Sequence, residues 1–172
     1  MALTKKSVCA KLMTSTSSKQ ETTSALNDMT DKNSPVKLLY VTPERFAKSK
    51  RFMAKLQKAF AEGRLQRIAI DEVHCCSQWG HDFRPDYKFL GVLSSMFPGV
   101  PILGLTATAT SRVLVDVQKM LDIRGCLIIK SSFNRPNLFY QIIPKPSSTE
   151  ECVNILENLL KYRYKNQSGI IY

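Results

Sequence analysis

Apolar and polar positions along the chain alternate between two periods. Short β-branched or apolar runs of period two are followed by longer stretches of helical period, and that succession predicts an α/β domain. Val36–Val41 reads as a strand closed by Thr42-Pro43, because proline cannot continue a ladder. Residues 44–62 read as one helix with Phe52, Met53, Leu56 and Phe60 on one face and Lys48, Arg51, Lys55 and Lys58 on another. Arg67–Ile70 is the next strand and runs straight into Asp71-Glu72. Pro85–Phe97 follows as a helix, with Pro85 suited to its first turn. After it come a strand at Pro101–Leu105, a helix at Thr110–Leu121 and a short strand at Leu127–Ile129. Thr149–Tyr162 is an amphipathic helix through Cys152, Val153, Leu156, Leu159 and Leu160, and Gly169–Tyr172 a last strand.

Repeated strand–helix units imply a parallel sheet flanked by helices, whose chemistry gathers at the carboxyl ends of the strands. Asp71 and Thr106 both fall at such ends. Thr14–Lys19 reads as a loop and helix cap, and Pro144–Ser148 as a linker between domains.

Composition narrows the class. With 172 residues, 44% hydrophobic, the chain can bury a core without disulfides or metals. Its five cysteines include the pair Cys75-Cys76 but no C-x-x-C, so no zinc spacing is visible and a reducing compartment is expected. No apolar run approaches the roughly 20 residues of a membrane span. Met1–Lys6 is not followed by the apolar block of a signal peptide, so the protein is not expected to be secreted, and this start does not read as a natural domain boundary. The net charge is +11, and eight basic residues with one acid lie between Arg45 and Arg67. A polyanion partner and a solvated helix face both account for that excess.

A hydrophobic strand that delivers Asp71-Glu72 matches the second nucleotide motif of P-loop ATPases. In that reading Asp71 holds Mg²⁺ through its water shell and Glu72 orients and deprotonates the attacking water. His74 is spaced to reach a neighbouring strand end. An acidic turn after a strand also accounts for Asp-Glu alone. Thr106 and Thr108, in Gly104–Thr110, are small hydroxyl residues able to bond His74 and the carboxylates, although Thr-Ala-Thr is also an ordinary helix cap. Between these segments, Trp79 and Phe83 offer flat faces to unpaired bases, and Arg84 can take a phosphate or stack. Core anchoring is the alternative for the two aromatics.

Together these residues resemble the RecQ DNA helicases. Asp71–Tyr87 (DEVHCCSQWGHDFRPDY) is similar to their DExH box and the aromatic-rich loop after it, Leu38–Arg45 (LLYVTPER) to motif Ib, and Gly104–Thr110 (GLTATAT) to motif III. Ser132–Leu138 resembles the segment at the passage into the second motor lobe, and Ser168–Tyr172 the opening of motif IV. The resemblance implies RecA-like lobes that use ATP and Mg²⁺ to move 3′ to 5′ along single-stranded or forked DNA, in the nucleus, with roles in DNA repair and recombination. It implies that Asp71, Glu72 and His74 serve hydrolysis and that Thr106 and Thr108 couple it to movement. It further implies that Gln78, Trp79, His81, Phe83 and Arg84 sense DNA, that Thr42 and Arg45 touch its backbone, and that Arg135 and Asn137 act between the lobes. Residues 1–131 would then be the later part of lobe 1, 132–148 the inter-lobe linker, and 149–172 the start of lobe 2.

The departures carry equal weight. None of the seven glycines precedes a lysine, so no G-x-x-x-x-G-K-[ST] phosphate loop occurs. The adenine-reading glutamine motif, the arginine finger of lobe 2 (worth about 10³–10⁵ in rate in related enzymes) and the family's zinc module are absent as well. A partial motor, inactive alone, is the expectation. A non-catalytic product that binds single-stranded DNA or interferes with the full-length motor is the alternative.

Overall fold

A computed structural model describes residues 8–132 and 134–172; Met1–Lys6 and the Phe133 of the inter-lobe motif lie outside them. The chain divides after Ile128 into two compact units, Met1–Ile128 and Ile129–Tyr172.

Within the first unit the parallel α/β class expected from the pattern holds, in the form of two separate strand pairs rather than one continuous sheet. Strand β1 (Ala10–Met13) runs parallel to β2 (Leu38–Val41), with Ala10 opposite Leu38 and Met13 opposite Val41. Strand β3 (Ile68–Ile70) runs parallel to β4 (Ile102–Gly104), with Ile68 opposite Ile102. Helix α1 (Lys19–Asp28) connects β1 towards β2 and opens with a capping box: Ser18 Oγ accepts from Glu21 N–H while the Glu21 carboxylate accepts from Ser18 N–H. The expected Thr14–Lys19 cap therefore stands, but β1 and α1 were not legible. The four residues of β1 contain no β-branched side chain, and α1 carries Thr22, Thr23 and Ser24 in its interior, all weak formers of their own element.

The helix expected over 44–62 is two helices, α2 (Pro43–Lys48) and α3 (Lys50–Ala61). Ser49 leaves the helical region (φ −105°, ψ 93°) and its hydroxyl accepts from Phe52 N–H at 3.2 Å, so the break serves as the N-cap of α3. The apolar face of α3 behaves as its spacing dictates, burying Phe52, Leu56 and Ala59. Each large side chain of that kind contributes roughly 1.5–3 kcal/mol on burial. The opposite face keeps Arg51 and Lys58 exposed, as is Lys48 at the end of α2. Other members of the basic stretch serve the fold. Lys55 bonds Thr30 Oγ1 at 3.1 Å, and Arg64 donates to the carbonyls of Met29 and Asp28 at the end of α1.

Pro85–Phe97 also departs from a single helix. It is a 3-10 segment, Pro85–Val92, followed by one short α-turn, α4 (Leu93–Met96). Gly91 lies against the end of the following long helix, where an added Cβ would stand 2.7 Å from the Met120 carbonyl oxygen. Helix α5 (Ser111–Met120) is capped by Thr110, whose hydroxyl accepts from Val113 N–H at 3.3 Å. One continuous core joins both strand pairs through Met13, Leu26, Phe52, Ile70, Tyr87, Phe97, Val117 and Leu121.

The second unit is open by comparison. Helix α6 (Thr149–Asn158) starts at the Ser148 cap and passes into a π-turn at Leu159–Arg163. Val153, Leu156 and Leu160 of its apolar stripe are exposed. Leu127–Ile129, at the boundary of the units, and Gly169–Tyr172 are not strands. Among the described residues they have no ladder partner, and a parallel strand without a neighbour leaves its backbone groups to water.

Candidate active site and nucleic-acid interface

The site is built where β3 and β4 end side by side. The ladder continues past the strands, with Leu105 N–H on the Ile70 carbonyl and Val73 N–H on the Leu105 carbonyl, both at 2.9 Å. This register sets Asp71-Glu72 beside Thr106. Glu72 adopts a left-handed backbone (φ 49°, ψ 43°), costly for a residue with a Cβ and characteristic of positions held for function. The turn leaves both carboxylates exposed while Val73, His74, Cys75, Cys76 and Ser77 drop into the interior. Asp71 Oδ1 accepts from Glu72 N–H at 3.0 Å, and the Asp71 carbonyl accepts from the Tyr87 hydroxyl at 3.2 Å.

His74 is the junction. Its Nδ1 lies 2.8 Å from Thr106 Oγ1 and 3.3 Å from Glu72 Oε2. The Thr106 hydroxyl donates to the Thr108 carbonyl at 3.1 Å and accepts from Thr108 N–H at 3.2 Å. With its one proton so used, Thr106 accepts from His74, which places a proton on Nδ1. The expected contact of His74 with Thr106 is therefore formed, whereas Thr108 takes part through its backbone alone and not through its hydroxyl. On the other side the His74 ring stacks on His81, centroids 4.9 Å apart and planes 15° from parallel. One buried imidazole thus touches the Glu72 carboxylate, the β4 end and the aromatic loop.

The loop itself is pinned at its start. Ser77, buried, donates to Asp116 Oδ2 of α5 at 2.6 Å and accepts from Trp79 N–H at 3.1 Å. Gly80 passes so close to the chain before it that a Cβ would sit 2.7 Å from the His74 carbonyl oxygen. Trp79 is 59% exposed, and the Arg112 guanidinium of α5 lies 3.4 Å from its ring centroid. A groove of about 400 Å³ beside it is lined by Trp79, Ser111, Arg112, Val115, Asp116 and Lys119. Phe83 is half-buried with Lys88 over its ring, and Gln78 and His81 are exposed. Arg84 is held by Asp82 at 2.6 Å, an ion pair that raises the guanidinium's affinity for its proton and lowers the Asp82 carboxyl.

Arg112 and Asp116 escaped the sequence reading. They lie one turn apart on α5, just after Gly104–Thr110, so a charged i, i+4 pair on the helix that follows the β4 motif was the available signal. Two buried groups below the site are shifted strongly upward. Burial, then the neighbouring Cys75, pushes both the Cys76 thiol and the Tyr87 phenol to about 12.

At the end of β2 the picture differs. Arg45, expected on the DNA backbone, turns inward and donates to Thr22 Oγ1 at 2.8 Å. Its Nε is buried without a hydrogen-bond partner among the described residues, while the Thr42 hydroxyl lies beside the Glu44 carboxylate. The Glu44 backbone N–H and then the Thr42 hydroxyl hold that carboxyl below its ordinary range, with a smaller contribution from the Arg84 charge, so this strand end and the aromatic loop share one side of the unit. Arg135 and Asn137 are exposed, in a turn closed by Leu138 N–H on the Arg135 carbonyl at 2.9 Å.

A DExH carboxylate pair, a histidine bonded to the threonine after the next strand and a loop whose His81 stacks on that histidine are features of the helicase class. The chain belongs to the DEAD/DEAH box helicase family, whose family model matches residues 2–117. It is 54% identical over all 172 residues to ATP-dependent DNA helicase Q1 of Rattus norvegicus, covering 28% of that protein. It is 55% identical over 155 residues, 90% of this chain and 25% of the relative, to a putative ATP-dependent DNA helicase Q1 of Caenorhabditis elegans. With ATP-dependent DNA helicase Q-like 2 of Arabidopsis thaliana it shares 47% identity over its full length and 24% of the relative's. The RecQ resemblance drawn from the motifs holds, and the chain spans about a quarter of the length of the curated relatives it matches. Among the described residues no helix is long and apolar enough to cross a membrane.

Proposed function

We propose that this chain carries the hydrolysis and DNA-sensing part of a RecQ-type, ATP-dependent 3′–5′ DNA helicase. The observation behind the proposal is the His74 junction, which joins Glu72, Thr106 and His81 through contacts of 2.8–4.9 Å. Asp71 fits a hydrated Mg²⁺: it is exposed, and only its Oδ1 is used, by Glu72 N–H. Such an ion, when bound, would supply charge neutralisation at the ATP phosphates. The Glu72 carboxylate accepts the proton of the attacking water. Without a Gly-Lys loop, the residues of this stretch do not cradle the β- and γ-phosphates.

In this reading His81 carries the position of the loop to His74, and Thr106 carries it on to the backbone of Thr108. Trp79, with one face on Arg112, offers its other face to a base, while Gln78, Phe83 and Arg84 complete the single-strand contact. The Arg45 Nε, without a partner among the described residues, supports a phosphate contact at the β2 end, beside Thr42. Residues 1–131 are assigned to lobe 1, 132–148 with Arg135 and Asn137 to the inter-lobe passage, and 149–172 to lobe 2. Forked DNA as substrate and nuclear work in repair and recombination belong to the same proposal.

Trp79 is the only tryptophan, so its emission reports the loop alone. Titration with a single-stranded oligonucleotide should quench it, with an affinity that falls steeply as salt rises. The 172-residue chain should hydrolyse no ATP in the same mixture. Unquenched emission, or turnover that Glu72→Gln abolishes, contradicts the proposal.

A further inference from the structure

The mechanism uses one nitrogen of His74. The other, Nε2, faces away from Thr106, 3.7 Å from Cys75 Sγ, and the same sulfur lies 3.7 Å from Asp82 Oδ2. All three donor atoms fall within 4.8 Å of one another, with His74 and Cys75 buried and Asp82 half-buried. We propose that His74 Nε2, Cys75 Sγ and Asp82 Oδ2 form a site for a borderline-soft divalent cation of the Zn²⁺ class, distinct from the Mg²⁺ position at Asp71.

The donor set selects the ion. A thiolate and an imidazole suit Zn²⁺, Co²⁺ or Cd²⁺, and Mg²⁺ prefers an all-oxygen octahedron. Tetrahedral Zn²⁺ with its usual bonds to sulfur, nitrogen and oxygen separates its ligands by about 3.3–3.6 Å. The two sulfur-containing separations are already near that value. The remaining adjustment falls on Asp82, which lies in an exposed loop and is otherwise held by Arg84. The support around the histidine is of the kind metal sites use: its far N–H is donated to Thr106, with the Glu72 carboxylate beside it, which orients Nε2 and raises its basicity. Three protein ligands leave a fourth position to water. Coordination replaces the Cys75 S–H bond by a metal–sulfur bond and releases the proton to solvent.

The consequence is a clamp. The ion would tie the loop at Asp82 to the DExH histidine and free Arg84 from its carboxylate, holding the junction in one arrangement.

The test uses the 172-residue chain with Cys9, Cys126 and Cys152 changed to Ser, titrated with Cd²⁺ and followed by its thiolate-to-metal charge-transfer band. A 1:1 band is expected, lost in Cys75→Ser, weakened more than about 10-fold in affinity by Asp82→Asn, which removes a ligand's charge, and about 10-fold by Thr106→Val, in line with losses at supporting shells of metal sites. Asp82 is partly exposed, so its variant keeps the test open should Cys75→Ser fail to fold. A band that survives Cys75→Ser, or an affinity indifferent to Asp82→Asn, overturns the proposal.

Discussion

The carboxyl ends of β2 and β3 offer similar groups, each a hydroxyl or carboxylate followed closely by a side chain that can be charged. They are finished differently. At β3 the polar groups are partnered with one another, His74 with Thr106 and Glu72 and Ser77 with Asp116. At β2 one nitrogen of Arg45 is spent on α1, and its Nε is left buried without a partner among the described residues. A closed network transmits a displacement because no member can move without breaking a bond. Partnerless donors instead favour whatever acceptor arrives, since leaving one unsatisfied costs about 1–3 kcal/mol. On the proposed reading, the β3 end is the relay and the β2 end a receptor for phosphate.

The largest effect is expected where the relay is tightest. Gly80→Ala puts a methyl 2.7 Å from the His74 carbonyl and should cost about 1–3 kcal/mol in chemical denaturation, with loss of the Trp79 response to oligonucleotide. A neutral Gly80→Ala would mean that the loop is not packed against the junction.

Arg45→Ala separates the two ends. It removes the bond to Thr22 and should destabilise the chain by about 1 kcal/mol. It should also weaken single-strand binding and flatten its salt dependence, while Trp79 is still quenched at saturation. Unaltered salt dependence would make Arg45 a purely structural tie.

A smaller difference appears with pH. Cys76 and Tyr87 lie under the β3 end with pKa values raised to about 12, against ordinary values of 9.0 and 10.0. A raised folded value means that unfolding releases protons in alkali. The contribution is whole below about pH 9 and is lost as pH climbs through 12. Glu44 at the β2 end has a lowered carboxyl, so its contribution is present above its ordinary 4.5 and is lost as pH falls. Thermal unfolding at stepped pH should show the alkaline decline reduced in Cys76→Ala, with the acid limb unchanged. An alkaline limb identical to the parent chain's would contradict the assignment.

How much of this was legible in the sequence follows from what kind of signal each feature leaves. The buried face of α3 and the strand ends at Asp71 and Thr106 repeat with regular period and could be read. The Ser49 break depends on one residue's choice between helix and cap, and the 3-10 course of Pro85–Val92 runs past a close approach of Gly91 to Met120, neither of which leaves a periodic trace. In the site, His74 and Thr106 were paired by motif. Arg112 on Trp79 and Asp116 on Ser77 join positions more than thirty residues apart, and their meeting is decided by packing of α5. The strands expected at Leu127–Ile129 and Gly169–Tyr172 had the right composition but no neighbour among the described residues, and pairing, not propensity, makes a strand.

The central claim is that DNA on the loop is felt at the DExH histidine. The chain contains two histidines, His74 and His81, stacked on one another in the site, so imidazole NMR reports both ends of the relay without assignment ambiguity from other rings. On titration with a single-stranded oligonucleotide, the ring signals of His81 and of His74 should shift with one common binding curve, and Thr106→Val should change the His74 shift while leaving that of His81. Movement of His81 alone, or of neither ring while the oligonucleotide binds, would contradict it.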